Sequence, residues 1–188
     1  TRYLQSTHCD LFFADAAILV EGVAESMLLP HFIRSKFPEL YQRYITILGV
    51  NGRHAHRLSP LIEKLCLPTL VITDLDPAEK EGYHKSVVPK RGEGQISGNY
   101  AIAKWLMKEK DIDKLVDYSE DKKEFSFASP YRFSIRLAYQ TPVKVDFEGE
   151  EKEAIPGTFE DCLIYTNYDL FKKIKVTDSG NLVEQTHD

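Results

Sequence analysis

Short apolar runs alternate with amphipathic stretches from residue 16 to residue 76. The runs have the length and continuous hydrophobicity of strands buried on both faces of a sheet: "AAILV" (16–20), "YITILGV" (44–50) and "PTLVITDLD" (68–76). The stretches between them, "AESMLLPHFIRSKF" and "HRLSPLIEKLCL", place apolar residues near helical spacing. This order predicts an α/β fold, a Rossmann-like parallel sheet flanked by the helices that connect its strands.

The pattern changes after Asp76. Residues 77–98 are polar and glycine-bearing without periodicity, which is typical of a functional or disordered loop. "NYAIAKWLMKE" (99–109) predicts an amphipathic helix capped by Asn99. Residues 111–125 are expected to continue as solvent-facing helix.

The last part of the chain mixes the two kinds of pattern. "YRFSIRLAYQTPVKVDF" (131–147) alternates well enough to predict one or two strands. "TFEDCLIYTNYDLFKKI" (158–174) begins with a threonine cap and two acids, followed by a helical apolar stripe. We therefore expect an additional α+β extension after the third strand.

Composition disfavours a membrane protein and a disulfide-rich or zinc-binding protein. Of the 188 residues 43% are hydrophobic, enough for one domain with a proper core. No apolar run approaches the roughly 20 residues that span a bilayer, and we see no secretory leader, so we expect no membrane association. Three scattered cysteines without a CxxC pair indicate a reducing cytoplasm rather than a zinc site or disulfides. A net charge of −5 means that DNA handling would need metal ions or a local basic patch.

Acidic residues directly follow two of the predicted strands. Glu21 ends the first strand, and Asp74 and Asp76 end the third on the same side of the chain. Glu25 lies one helical turn after Glu21. Since ligands of open α/β sheets bind beyond the carboxyl ends of the strands, we expect these four carboxylates to converge there. Their mutual repulsion favours Mg²⁺ or Mn²⁺, hard cations that prefer carboxylate oxygen.

Each acid taken alone has a plainer interpretation. One acid after a strand is ordinarily an N-terminal helix residue stabilised by the helix dipole, and an isolated DxD pair is a weak signal. Both features at the ends of two strands of one βαβαβ unit favour a metal site. Gly22 is expected to leave room for the metal and its phosphate ligand, which a side chain would crowd.

These motifs resemble the Toprim domain, a fold shared by topoisomerases, primases and several nucleases. "ILVEG" with "AE", then "GVNG", then "VITDLD", carries the resemblance. The flanking sequence is closer still to the OLD (overcoming lysogenisation defect) nucleases: "HCDLFFADAAILVEGVAESMLLP", "GQISGNYAIAKWL", "RLAYQTPV" and "GTFEDCL" are similar to segments of that family. The resemblance covers nearly the whole chain and implies a metal-dependent DNA endonuclease or nickase.

The resemblance also implies carboxylate ligands for two Mg²⁺ or Mn²⁺ ions that together promote phosphodiester hydrolysis. The later acidic ligand falls at Glu160, with Asp161 as the neighbouring alternative. The lysines between residues 172 and 175 come too early to be the family's catalytic lysine, which we expect beyond residue 188. The implied metal ligands are Glu21, Glu25, Asp74, Asp76 and Glu160, with Glu21, Asp74 and Asp76 as the catalytic core.

The family's usual architecture places an ABC-type ATPase before the Toprim region. Because the chain starts at Thr1 without methionine, we expect a piece of a longer protein in which this ATPase is the upstream partner and mediates oligomerisation. We divide the chain into a connector (1–15), a Toprim core (16–98) that includes the long loop 77–98, and a helical insertion with a C-terminal part (99–188) that completes the Toprim region.

Basic residues near the acidic edge are candidates for contacts with DNA phosphates. Two of them flank His54 and His56, an HxH that is more often an exposed helix start than a metal site. The others lie in the long loop, for which a solvated surface is the ordinary interpretation. The candidate DNA contacts are Arg53, Arg57, Lys85, Lys90 and Arg91.

Three other functions stay open at this point. The first is another Toprim activity, that of a topoisomerase or primase relative, although a topoisomerase would need a nucleophilic tyrosine and DNA gates for which the chain is short. A Mg²⁺-binding receiver domain would carry a lone phosphoacceptor aspartate, which fits the DxD pair and the long insertion poorly. A degenerate Toprim domain that only binds DNA or a partner is disfavoured by intact Glu21, Asp74 and Asp76.

Overall fold

The computed structural model describes residues 6–50, 54–80, 86–147, 149–173, 175–176 and 180–181. Its strands are β1 (Ala16–Val20), β2 (Ile45–Gly49), β3 (Thr69–Ile72), β4 (Pro77–Ala78), β5 (Ile96–Ser97), β6 (Glu124–Phe127), β7 (Phe133–Ala138), β8 (Val143–Phe147), β9 (Glu150–Ala154), β10 (Lys175–Val176) and β11 (Gly180–Asn181). Its α-helices are α1 (Val23–Lys36), α2 (Pro38–Tyr41), α3 (Ser59–Leu65), α4 (Ile112–Val116), α5 (Phe159–Thr166) and α6 (Tyr168–Phe171). Short 3₁₀-helices lie at Ser6–Phe12, Ala55–Leu58 and Glu120–Lys123, and a π-helix lies at Ala101–Trp105.

A five-stranded sheet in the order β2-β1-β3-β7-β6 organises the chain. β1 pairs in parallel with β2 and with β3, and β3 pairs in parallel with β7. β6 pairs antiparallel with β7 at the edge of the sheet. The mostly parallel sheet flanked by helices confirms the predicted α/β class.

Apolar clusters cover both faces of the central strand β1. Ala17 and Leu19 pack into the larger cluster, whereas Ile18 and Val20 pack with Ile33 of α1 in a smaller one. Because successive strand side chains point to opposite faces, a strand buried on both sides needs an unbroken apolar run. This requirement explains "AAILV", and it fixes the position of the residue that follows it at the carboxyl end of the sheet.

The predicted helices after Asp76 were wrong in two places. The segment 99–109 forms only the five-residue π-helix, and the chain turns at Lys108, which has a left-handed φ of 55°. The segment 111–125 is divided among α4, a 3₁₀-helix and the start of β6, and only part of it faces solvent. Leu115 is fully buried and Lys123 is 1% exposed, so this segment contributes to the core.

The part of the chain after residue 98 contributes a strand to the main sheet. β7 lies beside β3 inside the main sheet, so a segment from the predicted insertion completes the core. The ends of the predicted loop 77–98 pair with each other as the antiparallel strands β4 and β5. β8 and β9 form a separate hairpin, against which α5 packs through Val145 and Ile164.

Among the residues described, none of the helices combines the length and the apolar character that a membrane crossing needs.

Candidate functional site

The acids that follow β1 and β3 lie together at the carboxyl edge of the sheet. The side-chain amide of Asn99 donates hydrogen bonds to Glu21 Oε1 at 2.8 Å and to Asp76 Oδ2 at 3.0 Å. One nitrogen therefore holds a carboxylate from each of two neighbouring strands. Asn99 is fully buried, and its own Oδ1 accepts a bond from the Ala101 backbone N–H at 2.9 Å.

Two further uncharged side chains hold the acids in place. Thr73 Oγ1 donates to Glu21 Oε1. Gln140, which follows β7, donates from Nε2 to Asp74 Oδ1 at 2.5 Å and accepts from the Leu75 backbone N–H at 2.8 Å. The three donors come from separate parts of the sequence, so the acidic edge is held by the fold as a whole.

The DxD segment leaves the sheet in a conformation that separates its acids from the core. Regular pairing of β3 ends at Ile72, and Leu75 is fully buried in the main apolar cluster. Asp76 has a left-handed φ of 47°, which aspartate tolerates better than most residues. The buried leucine anchors the segment while the acids on either side of it face the polar edge.

Glu25 and Gly22 form a close pair at the start of α1. The Glu25 side chain is 2% exposed, and its Oε2 has no hydrogen-bond partner among the described residues. A Cβ on Gly22 would lie 2.3 Å from that oxygen. Gly22 has an ordinary extended backbone, so a side chain at this position would first require the Glu25 carboxylate to move. That Gly22 also leaves room for a metal-bound phosphate stays a prediction.

Burial and repulsion between acids raise the pKa values of Asp74 and Glu21. Burial raises the pKa of Asp74 to about 7, and the hydrogen bond from Gln140 offsets this only in part. Burial also raises the pKa of Glu21, against the effect of its bonds with Asn99 and Thr73. The neighbouring acids add to both shifts, because Glu21, Glu25, Asp74 and Asp76 lie within electrostatic reach of one another.

The chemistry of this cluster fits a hard divalent cation. All of its anionic donors are carboxylate oxygens, and one of them is buried without a partner. Within the described ranges no three histidine, cysteine or acidic side chains stand as a finished ligand set. Amide and hydroxyl donors engage Glu21, Asp74 and Asp76 instead, so binding would exchange some of these hydrogen bonds for cation contacts.

Glu160 and Asp161, the two candidates for the last acidic metal ligand, have different environments. Asp161 Oδ2 accepts the backbone N–H groups of Gly157 and Thr158, both at 3.1 Å, and its own N–H bonds to Thr158 Oγ1. This capping box gives Asp161 a structural task. Glu160 is exposed in the first turn of α5, and the cavity of about 310 Å³ beside this turn is lined by Asp76 and Asp161 rather than by Glu160.

The predicted DNA-contacting residues have different environments. Arg53 and Lys85 lie outside the described residues. Arg57 and Lys90 are exposed, as the prediction requires. Arg91, however, bonds to Asp117 at 2.8 Å and to Glu153 at 2.6 Å, so its charge is already compensated within the chain.

The histidines of the HxH sequence and the lysines after α5 have the following environments. His54 and His56 are half-buried rather than exposed, and the His56 ring packs edge-on against Tyr100. Lys172 pairs with Asp169, and Lys173 is exposed. The side chain of Lys175 lies outside the described part of the chain.

Sequence reasoning missed the neutral residues of the site. Thr73 and Gln140 sit beside apolar strands and carry no charge pattern that would single them out. Asn99 was interpreted as a helix cap, and it does bond to the Ala101 backbone, but its amide group also bridges two acids. Only Thr73, a polar residue between a strand and an acid, carried a local signal.

Comparisons with known proteins match the part of the chain that contains the strand-end acids. Residues 12–76 match the family model described as "Overcoming lysogenization defect protein-like, TOPRIM domain". Endonuclease GajA from Bacillus cereus (strain HuB5-5) is 28% identical over 193 residues, an alignment that covers 100% of this chain and 26% of the relative. The chain thus spans about a quarter of the length of that relative. No solved structure matches the chain.

Replacing Asn99 by aspartate tests its role as a bridge. Asn99→Asp exchanges the donor between Glu21 and Asp76 for another acid, so the metal-free protein should lose roughly 1–3 kcal/mol of unfolding free energy at neutral pH. Mg²⁺ should restore more stability to this variant than to the parent, which thermal unfolding in EDTA and in Mg²⁺ would measure. Asn167→Asp, at an exposed helix end, is the control. Equal Mg²⁺ responses in all three proteins would contradict the bridging role.

Proposed function

Because residues 12–76 match the model of the OLD-like Toprim domain, we propose that the chain is the nuclease module of a longer OLD-family protein and hydrolyses phosphodiester bonds in DNA. One observation carries the proposal: the carboxyl ends of β1 and β3 bring Glu21 and Asp76 to the same buried amide. The similarity to a relative that is named an endonuclease supports the same reaction class.

We assign the metal-binding role to the acids of this edge. Glu21, Asp74 and Asp76 are the proposed centre, and the buried oxygen of Glu25 and the exposed Glu160 of α5 are the proposed further ligands. Two Mg²⁺ or Mn²⁺ ions held here would supply positive charge to the attacking and leaving oxygens of the phosphodiester. The carboxylate-only donor set suits these ions better than softer metals.

The remaining residues orient these acids. Gln140 fixes Asp74 from one side, and its second bond to the Leu75 backbone prevents the amide from turning away. Asn99 holds Glu21 and Asp76 at a common separation before any ligand arrives. Such orientation reduces the rearrangement that binding and reaction require.

The receiver-domain alternative shares the β2-β1-β3 strand order but fits the rest of the sheet poorly. A doubly wound receiver sheet continues in parallel, whereas β6 runs antiparallel at the edge. A receiver also needs one phosphoacceptor aspartate, and here two acids flank a buried leucine. Both features argue for the Toprim nuclease.

The partners and location of the whole protein are also proposals. An upstream ABC-type ATPase region, which would also mediate oligomerisation, agrees with the small share of the relative that the chain spans. The three cysteines Cys9, Cys66 and Cys162 are unpaired, which suits a reducing cytoplasm.

Cleavage of DNA tests the proposed reaction. The intact protein should nick or cut supercoiled plasmid in Mg²⁺ or Mn²⁺ and should stop when a chelator is added. Asp74→Asn keeps the size of the side chain but removes an anionic ligand, so the rate should fall by roughly 100-fold or more. Asp10→Asn, an exposed change before β1, should cleave normally. Undiminished cleavage by the Asp74 variant, or in chelator, would reject the assigned site.

Substitutions of Glu160 and Asp161 should have different effects on the cleavage rate and on the free energy of unfolding. Asp161→Asn weakens the capping box and should cost about 1 kcal/mol of unfolding free energy, with cleavage retained. Glu160→Gln should leave stability unchanged but slow cleavage by roughly tenfold or more, because a ligand is lost. Denaturant titration and plasmid cleavage of both variants make the comparison. The opposite pattern would transfer the ligand role to Asp161.

A further inference from the structure

A cavity lined by two lysines, here called the basic hollow, adjoins the acidic edge. The sequence pattern indicated no function for these lysines. The basic hollow has a volume of about 270 Å³ and is lined by Ser97 and Gly98, by Tyr100, and by Lys104 and Lys110. Both lysines are exposed, and neither ammonium group forms a salt bridge with the described residues. In a chain with a net charge of −5, the hollow thus presents two ammonium groups that pair with no acid among the described residues.

The hollow and the acidic edge share a wall. The Gly98 backbone N–H, which lines the hollow, bonds to the Asp76 carbonyl oxygen at 2.9 Å. The next residue, Asn99, binds the Glu21 and Asp76 carboxylates, and Tyr100 follows directly. A ligand that reaches the acids from this side therefore passes the two lysines.

Tyr100 adds an aromatic surface to this positive region. Its side chain is 40% exposed, and Lys104 Nζ lies 4.1 Å from the centre of its ring. The His56 ring packs edge-on at 5.5 Å, which fixes the tyrosine and places the turn that bears Arg57 beside it. Lysines interleaved with an exposed aromatic ring are the combination with which proteins hold single nucleic-acid strands.

We propose that Tyr100, Lys104 and Lys110 form a binding surface for the DNA strand that leads into the acidic site. The lysines contact backbone phosphates on one side of the scissile bond, and Tyr100 packs against a base or sugar. This assignment rests on the proposed nuclease function, and it moves the main DNA contact away from Arg91, whose charge is bound by two acids.

Neutralising the lysines tests the surface without relying on cleavage. DNA binding is measured by fluorescence anisotropy with the intact protein in EDTA, on single-stranded and duplex oligonucleotides. Lys104→Gln/Lys110→Gln should weaken binding about tenfold and reduce the slope of log affinity against log salt by roughly 1.4–1.8, the share of two phosphate contacts. Lys36→Gln/Lys64→Gln removes the same charge at the opposite edge of the sheet and should bind like the parent.

Two site-resolved measurements complete the test. DNA should protect Lys104 and Lys110 from acetylation, read by mass spectrometry, and leave Lys36 and Lys64 reactive. Tyr100→Ala should lose at least about fivefold in affinity for single strands, whereas Tyr100→Phe keeps the ring and should bind normally.

The outcomes separate this surface from the nuclease reaction. Loss of binding in the Lys104/Lys110 variant with protection of both lysines supports the surface, even if the parent protein fails to cleave DNA. The surface is overturned if the parent cleaves DNA but the Lys104/Lys110 variant binds with unchanged affinity and salt slope and DNA does not protect these lysines from acetylation. The proposed reaction would then still stand. Failure of the parent to bind any DNA overturns the surface as well.

Discussion

Repulsion among carboxylates gathered at one edge of a sheet is the constraint on which this structure depends. Burial raises the pKa of Asp74 to about 7, and repulsion from Glu21, Asp76 and Glu25 adds to this shift. Asn99, Thr73 and Gln140 oppose this repulsion by donating hydrogen bonds to three of the acids. Glu25 keeps one buried oxygen without such a donor. An edge of this kind costs stability in the absence of a cation and gains it when one binds.

The fold brings these acids together through parallel pairing of distant strands. β1 and β3 are adjacent, so the residues after them emerge at the same edge. β7 lies on the other side of β3, which places Gln140 beside Asp74. The proposed reaction therefore depends on a strand from the later half of the chain as much as on the acidic motifs themselves.

The sequence predicted the strands and acids because both leave strong patterns. "AAILV" had to be apolar throughout, as a strand buried on both faces, and the acid after it had to lie at the edge. The neutral donors could not be predicted, since Asn99 and Gln140 act over separations of 78 and 66 residues that no local pattern records. The prediction for the segment with Leu115 and Lys123 failed for a related reason. Its charged residues suggested a solvent-exposed helix, but tertiary packing buries Lys123 beside Tyr139. The Lys123 ammonium group bonds to Glu120.

The most direct test of the central claim is anomalous diffraction from crystals of the protein soaked in Mn²⁺. The account predicts manganese signal within roughly 2–2.5 Å of oxygens from Glu21 and the two DxD aspartates, with the Asn99 or Gln140 amide displaced from at least one of them. Signal confined to other parts of the molecule, or none at this edge in Mn²⁺ concentrations that support cleavage, would contradict it.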